Sequence, residues 1–114
     1  MRFTLAWAAL MLVLAACGRK GPAPANPNAF DKAAPEIKQI WDAALTADKT
    51  NGYYASQALL FRLLQQPLAP EQQEAANQQL TATKARFTAA LEKGDPAAKS
   101  ALEEMRRNPP NRQR

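Results

Sequence analysis

Hydrophobic residues recur at helical spacing through most of the chain after residue 34. Pro35 suits the first position of a helix, and the apolar residues that follow lie three or four positions apart, so they share one face. Asn51-Gly52 then indicates a stop and a turn. The pattern predicts a first helix from Pro35 to just before Asn51, whose apolar face comprises Ile37, Ile40, Trp41, Ala44 and Leu45.

A second helix is predicted from about Tyr53 to Gln66, because Pro67 cannot continue it. Its apolar residues form one stripe that three leucines widen, so this helix should be the most buried of the chain. The stripe consists of Tyr54, Ala58, Phe61 and Leu64, and the leucines are Leu59, Leu60 and Leu63.

Residues that typically start or end helices predict two more helices further along the chain. Pro70-Glu71 opens a third and longer helix, and Gly94 closes it at a position that glycine favours. Asp95-Pro96 predicts a cap followed by proline at the first helical position, and the short fourth helix ends before Pro109. The predicted apolar faces are Ala76, Leu80, Thr83, Phe87 and Leu91 in the third helix and Ala98, Ala101, Leu102 and Met105 in the fourth.

These segments predict an all-α fold, a small bundle or stack of three to four antiparallel helices in a domain covering residues 35–107. Loops of a few residues make consecutive helices antiparallel neighbours. No run that alternates apolar and polar residues indicates a strand. The apolar residues are rich in alanine, so we expect a thin core and a stability of only a few kcal/mol.

The first sixteen residues have a different character. After Met1-Arg2 comes an apolar run from Phe3 to Leu14, which is shorter than the roughly 20 residues of a membrane-spanning helix. Small residues lead from this run to Cys17. The sequence Leu-Ala-Ala-Cys-Gly at positions 14–18 resembles the lipobox of a bacterial lipoprotein, with residues 1–16 as its signal peptide.

The lipobox resemblance implies a lipid anchor at Cys17. In that family a diacylglyceryl group is attached to the thiol, the chain is cut before the cysteine, and the new amine is usually acylated. Cys17 is the one cysteine of the chain, so no intramolecular disulfide competes for it. A plain secretory signal cleaved at an Ala-x-Ala-like site, or an uncleaved apolar helix, remains the alternative.

The stretch after Cys17 is rich in glycine and proline, and we interpret residues 17–34 as a flexible tether. Residues 17–22 also resemble the C-G-x-K-G-P attachment site of very small outer-membrane lipoproteins, one of which assists assembly of the lipopolysaccharide translocon. That family continues with Leu-Tyr, where this chain has Ala23-Pro24. Gly18 after the lipidated cysteine implies, by the same resemblance, an outer-membrane location facing the periplasm.

The first two helices resemble a tetratricopeptide repeat through Trp41, Gly52, Tyr54 and Phe61. Gln57 stands where that family has a small alanine, and no second copy occurs near a period of 34 residues. The resemblance therefore implies the helix-turn-helix shape and not a peptide-binding groove.

Composition limits the chemistry. The chain has no histidine, and its serines have no evident base partner, so a nucleophilic enzyme is not expected. No phosphate-binding glycine loop or metal-ligand spacing occurs, and we expect no cofactor and no metal. The net charge of +5 becomes +4 when Arg2 leaves with the signal peptide.

We therefore expect a non-enzymatic module that binds or scaffolds another protein of the cell envelope. The alternative is a protein that binds an anionic membrane or lipopolysaccharide surface and assists outer-membrane assembly. A nucleic-acid partner is not expected outside the cytoplasm. The residues 108–114 are predicted to be a basic disordered tail. Candidate partner-binding residues are Tyr53, Tyr54, Arg106, Arg107, Arg112 and Arg114.

Overall fold

Four helices account for most of the residues that the computed structural model describes, which are residue 26 and residues 28–112. Helix α1 spans Pro35–Lys49, α2 spans Tyr53–Leu64, α3 spans Pro70–Glu92 and α4 spans Pro96–Arg107. A short 3₁₀ helix, Pro110–Arg112, follows. This part of the chain contains no strand, which confirms the predicted all-α bundle. The predicted signal peptide, Cys17 and Arg114 lie outside the described residues.

The helices begin where the sequence predicts. Proline occupies the first turn of α1, α3 and α4, where its missing N–H leaves no intrahelical bond unmade. Asp95 precedes α4 at the predicted cap position, but its side chain makes no capping hydrogen bond within the described part of the chain. Helix α2 ends at Leu64, two residues before the predicted end.

A tight turn joins α1 to α2. Asn51 adopts a left-handed backbone with φ of 60°, a conformation that asparagine tolerates better than most residues. The Gly52 N–H donates to the Ala47 carbonyl oxygen at 2.7 Å. A Cβ at Gly52 would lie 3.1 Å from that oxygen, so glycine permits the close approach. The result is the antiparallel helical hairpin that the tetratricopeptide resemblance implied.

Helix α2 buries only part of the face predicted, at Leu60 and Leu63. Five of its twelve residues are buried, the largest share of any helix, as expected, but they are Tyr53, Ser56, Gln57, Leu60 and Leu63. The predicted stripe of Tyr54, Ala58, Phe61 and Leu64 is only half-buried. Apolar side chains cover much of this helix, so the sequence leaves its inward face ambiguous, and packing between α1 and α3 selects one.

The apolar interior consists of two clusters. The larger, here called the main core, comprises Ala29, Phe30, Trp41, Ala44, Leu60, Leu63, Ala75, Ala76 and Leu80. The smaller, here called the distal core, comprises Tyr53, Phe87, Ala98 and Ala101. The predicted α3 face is buried at Ala76, Leu80, Thr83 and Phe87 and half-buried at Leu91.

Three buried polar residues, here called the polar layer, lie between the two cores: Ser56, Gln57 and Thr83. Ser56 and Gln57 lie on α2, about one turn from Tyr53 on one side and from Leu60 on the other, and Thr83 lies on α3 between Leu80 and Phe87. The Ser56 Oγ and Gln57 Nε2 atoms have no hydrogen-bond partner among the described residues. A buried polar atom left unpaired carries its desolvation cost uncompensated.

The prediction that the flexible tether extends to residue 34 is wrong at its C-terminal end. Residues 28–33, here called the strap, form successive turns against the bundle. The Phe30 side chain is 1% exposed and its ring stacks on Trp41 with centroids 4.5 Å apart. Just before the strap, Asn26 Nδ2 donates to Glu71 Oε1 at 3.2 Å, near the start of α3. Burial of one large aromatic ring is enough to fix this segment.

Candidate functional site

A buried carboxylate connects the end of α1 to the middle of α3. The Asp48 side chain is 7% exposed and forms an ion pair with Arg86. Its Oδ2 also accepts a hydrogen bond from Gln79 Nε2 at 3.1 Å, and its Oδ1 accepts one from Thr83 Oγ1 at 3.2 Å. Residues 79, 83 and 86 follow a helical spacing of four and three, so all three side chains meet Asp48 on one face of α3. We call this set the Asp48 cluster.

The Asp48 cluster fixes Arg86 at the edge of a shallow groove. The Arg86 side chain is still 54% exposed, although one of its nitrogens contacts the buried carboxylate. Two adjoining concavities share Arg86 and Ala89, with volumes of about 340 Å³ and 270 Å³. Together they form what we call the α3 groove, lined by Tyr53, Ala82, Ala85, Arg86, Ala89, Ala90, Lys93 and Asp95.

Half of the residues that line the α3 groove are alanines, and charged residues stand at defined points among them. Lys93 follows Arg86 by seven residues, which places the two cations about 10.5 Å apart along the helix. Asp95 adds a negative charge beyond Lys93. Alanine side chains let a second backbone approach closely, and a guanidinium presents a fork of N–H donors to a carboxylate. The groove therefore suits a polypeptide segment that carries a carboxylate opposite Arg86.

The structure corrects the prediction for Tyr53 and refines the one for Tyr54. Tyr53 is only 8% exposed, and its ring lies 5.4 Å from that of Phe87, so it packs in the distal core and only its edge lines the groove. Tyr54 is half-buried, and its hydroxyl donates to the Asn108 carbonyl oxygen at 2.9 Å. As the fold stands, neither residue offers an exposed ring to a partner.

The prediction of a disordered basic tail is wrong for residues 108–112. The Asn108 N–H donates to the Glu104 carbonyl oxygen at 2.8 Å, and the 3₁₀ helix that follows packs against α2. Two adjacent prolines restrict the backbone here, and the Tyr54 hydroxyl holds it. Residues 108–112 are ordered because the prolines stiffen their backbone and because they pack against α2 and accept the Tyr54 hydrogen bond.

The predicted basic residues are exposed and scattered. Arg106 pairs with Glu103 at 3.1 Å, and both side chains are about two-thirds exposed. Arg107 and Arg112 are exposed. An ion pair between exposed groups contributes little to stability. Their role in partner binding stays a prediction.

Sequence reasoning missed the Asp48 cluster and the groove. Asp48 and Arg86 are separated by 37 residues, and each resembles a solvent-facing charge in a polar stretch. The available signal was a set of polar residues at positions 79, 83 and 86, which share one face of α3. Thr83 is the informative member, because it is a polar residue on the predicted apolar face of that helix.

Comparisons with protein-family models, curated proteins and solved structures gave no match to this chain. Residues 26 and 28–112 contain no group of side chains suited to a metal ion. Within the same residues, no helix has both the length and the apolar character needed to cross a bilayer.

Proposed function

We propose that this chain is a lipid-anchored, periplasm-facing lipoprotein that acts as a protein-interaction module of the cell envelope, with the α3 groove as its contact face. The observation that supports this contact face is that the exposed Arg86 side chain is held in place by a buried carboxylate. A preorganised donor binds with a smaller loss of conformational entropy than a free surface side chain. Its partner is a protein segment that carries a carboxylate.

The packed strap makes the proposed anchor short. With Phe30 in the main core, nine steps of chain separate Cys17 from Asn26. A fully extended chain covers at most about 3.6 Å per residue, so this link spans about 32 Å at most. Lipidation of Cys17 would therefore hold the helical domain close to the membrane surface.

The groove lies away from the point where the link enters. Asn26 contacts Glu71 near the start of α3, whereas Arg86 is fifteen residues further along the same helix. That separation is about 22 Å. The Asn26 contact and the contact face thus lie at different ends of α3, which leaves the groove open to another envelope protein.

Site-specific crosslinking tests this function. A photoreactive residue at Ala89, in cells that express the full chain, should crosslink to one discrete protein, whereas the same residue at exposed Lys38 on α1 should not. Lys93→Gln leaves the Asp48 cluster intact and should reduce the Ala89 product about fivefold. Cys17→Ser should remove the acyl mass and leave residues 1–16 attached to the chain.

Two outcomes would contradict the proposal, and they are separable. Identical products from positions 38 and 89, or a product that Lys93→Gln leaves unchanged, would argue against the groove. A Cys17→Ser chain with the same mass shift and the same processing as the original chain would argue against the lipid anchor and leave the groove result standing.

A second candidate function, binding to an anionic surface, is favoured by an uneven charge distribution. Residues 84–112 contain seven Lys and Arg against four Asp and Glu, whereas residues 28–83 contain four against six. This candidate predicts that a chain starting at residue 17, with Cys17→Ser, binds phosphatidylglycerol vesicles and is released by salt.

Charge substitutions test this candidate better than truncation, because residues 108–112 pack against α2. Replacing Arg107 and Arg112 together by Gln should weaken vesicle binding about thirtyfold, since each basic residue near an anionic surface contributes about 1 kcal/mol. The matched control replaces Lys32 and Lys38 by Gln. Equal binding of both double variants would exclude this function for the C-terminal end.

A further inference from the structure

We propose that residues 96–112, here called the lid, open about Gly94 while the main core stays folded, and that opening uncovers Tyr53 and Phe87. The lid comprises α4 and the 3₁₀ helix that follows it. Four observations carry this inference: the hinge, the contacts that hold α4, the polar layer, and the residues that the distal core shares with the α3 groove.

The hinge is a three-residue connection between α3 and α4. Gly94 has φ of 75°, a left-handed conformation that glycine adopts without strain. Among the described residues, a Cβ at Gly94 would meet only Lys99 Nζ, at 3.9 Å, so their packing does not constrain this position. Pro96 stiffens the chain on the α4 side, which confines the change in backbone angles to the residues before it.

The side chains that α4 buries are small, and the 3₁₀ helix after it adds its packing against α2. The buried residues of α4 are Ala98 and Ala101, whereas its larger apolar residues, Leu102 and Met105, are half-buried. A methyl group covers little apolar surface, and the hydrophobic stabilisation scales with that surface. The hydrogen bond from the Tyr54 hydroxyl to the Asn108 carbonyl oxygen adds one exposed contact. Elements with few buried apolar contacts open at lower free energy than the rest of a domain.

The polar layer separates the distal core from the main core. Ser56 and Gln57 lie one turn from Tyr53, and their Oγ and Nε2 atoms are buried without a partner among the described residues. Water that enters when the lid opens can hydrogen-bond to these atoms, so opening relieves part of their desolvation cost. The main core lies on the far side of the layer and does not need to unfold.

Opening also changes the α3 groove. Tyr53 belongs both to the distal core and to the groove lining, Ala90 packs against the distal core and also lines the groove, and Asp95 lies in the hinge. Removal of α4 therefore widens the groove and adds the faces of the Tyr53 and Phe87 rings, which lie 5.4 Å apart, to its wall. This consequence for binding rests on the proposed function, whereas the opening itself does not.

Thiol labelling of matched alanines tests the opening. Ala44, Ala76 and Ala98 are each 0% exposed, but the first two lie in the main core, whereas Ala98 belongs to the lid itself and lies on its buried face. Each is replaced by Cys, one at a time, in the full chain carrying Cys17→Ser in nonionic detergent. We expect the thiol at position 98 to react at least about tenfold faster than the other two, with a rate that low urea concentrations leave unchanged.

The global unfolding of each variant, measured by circular dichroism, corrects the rates for any destabilisation by the new cysteine. Three corrected rates within twofold of one another, or a rate at position 98 that rises with urea as steeply as those at positions 44 and 76, would overturn the lid.

A second variant tests the polar layer. Gln57→Leu replaces the unpartnered amide with an apolar group of similar size and should slow labelling at position 98 about fivefold, beyond any change in global stability. An unchanged rate at position 98 would overturn the contribution of the polar layer to opening. Because no partner is needed, these measurements stand whether or not the chain is lipidated or binds an acidic segment.

Discussion

Phe30→Ala is expected to lower the free energy of unfolding by about 3 to 4 kcal/mol. The ring is 1% exposed and stacked on Trp41, so its removal leaves a cavity in the main core and frees the strap. A thin helical domain of this size has only a few kcal/mol of stability. We therefore expect the variant to be largely unfolded, which urea denaturation followed by circular dichroism measures.

Phe61→Ala is the matched control. Phe61 is half-buried, and its ring lies 5.2 Å below Lys84 Nζ, so the same substitution removes much less buried surface. We expect a loss of about 1 kcal/mol. Equal losses at positions 30 and 61 would show that the strap contributes no more to the domain than a surface ring does.

The strap shows why part of the fold could not be predicted from the sequence. Phe30 is a single aromatic residue among small and polar neighbours, and a segment without periodicity has the composition of a linker. Its position depends on a tertiary contact with Trp41, eleven residues away. The helix starts at Pro35, Pro70 and Pro96, by contrast, depend on local chemistry and were predicted correctly.

Helix α2 shows a second limit. Its leucines and aromatics satisfy helical spacing on more than one face, so periodicity predicts that a helix forms but not which face turns inward. Tyr53 and Tyr54 are adjacent in sequence and 100° apart around the helix, and packing assigns Tyr53 to the distal core. Because Tyr53 is buried, the predicted site loses an exposed aromatic ring. The central residue of the observed site is Arg86, which was not among the predicted site residues.

Asp48→Ala is expected to cost about 3 kcal/mol of unfolding free energy, because it leaves three polar groups without their common acceptor. Gln79 and Thr83 lose hydrogen bonds in a partly buried site, and Arg86 loses its ion pair. Asp48→Asn keeps one carbonyl acceptor and should cost about half as much. Urea denaturation of the two variants measures both effects.

Asp42→Ala serves as the control, since Asp42 is an exposed aspartate on the same helix and should change stability by less than about 0.5 kcal/mol. Similar losses at positions 42 and 48 would show that the Asp48 cluster is a surface arrangement.

The milder Asp48→Asn variant also separates the effect on stability from the effect on the position of the Arg86 side chain. If the carboxylate orients Arg86, crosslinking from Ala89 should fall in a variant that is still folded, whereas a folded variant with full crosslinking would show that Arg86 reaches its partner without Asp48.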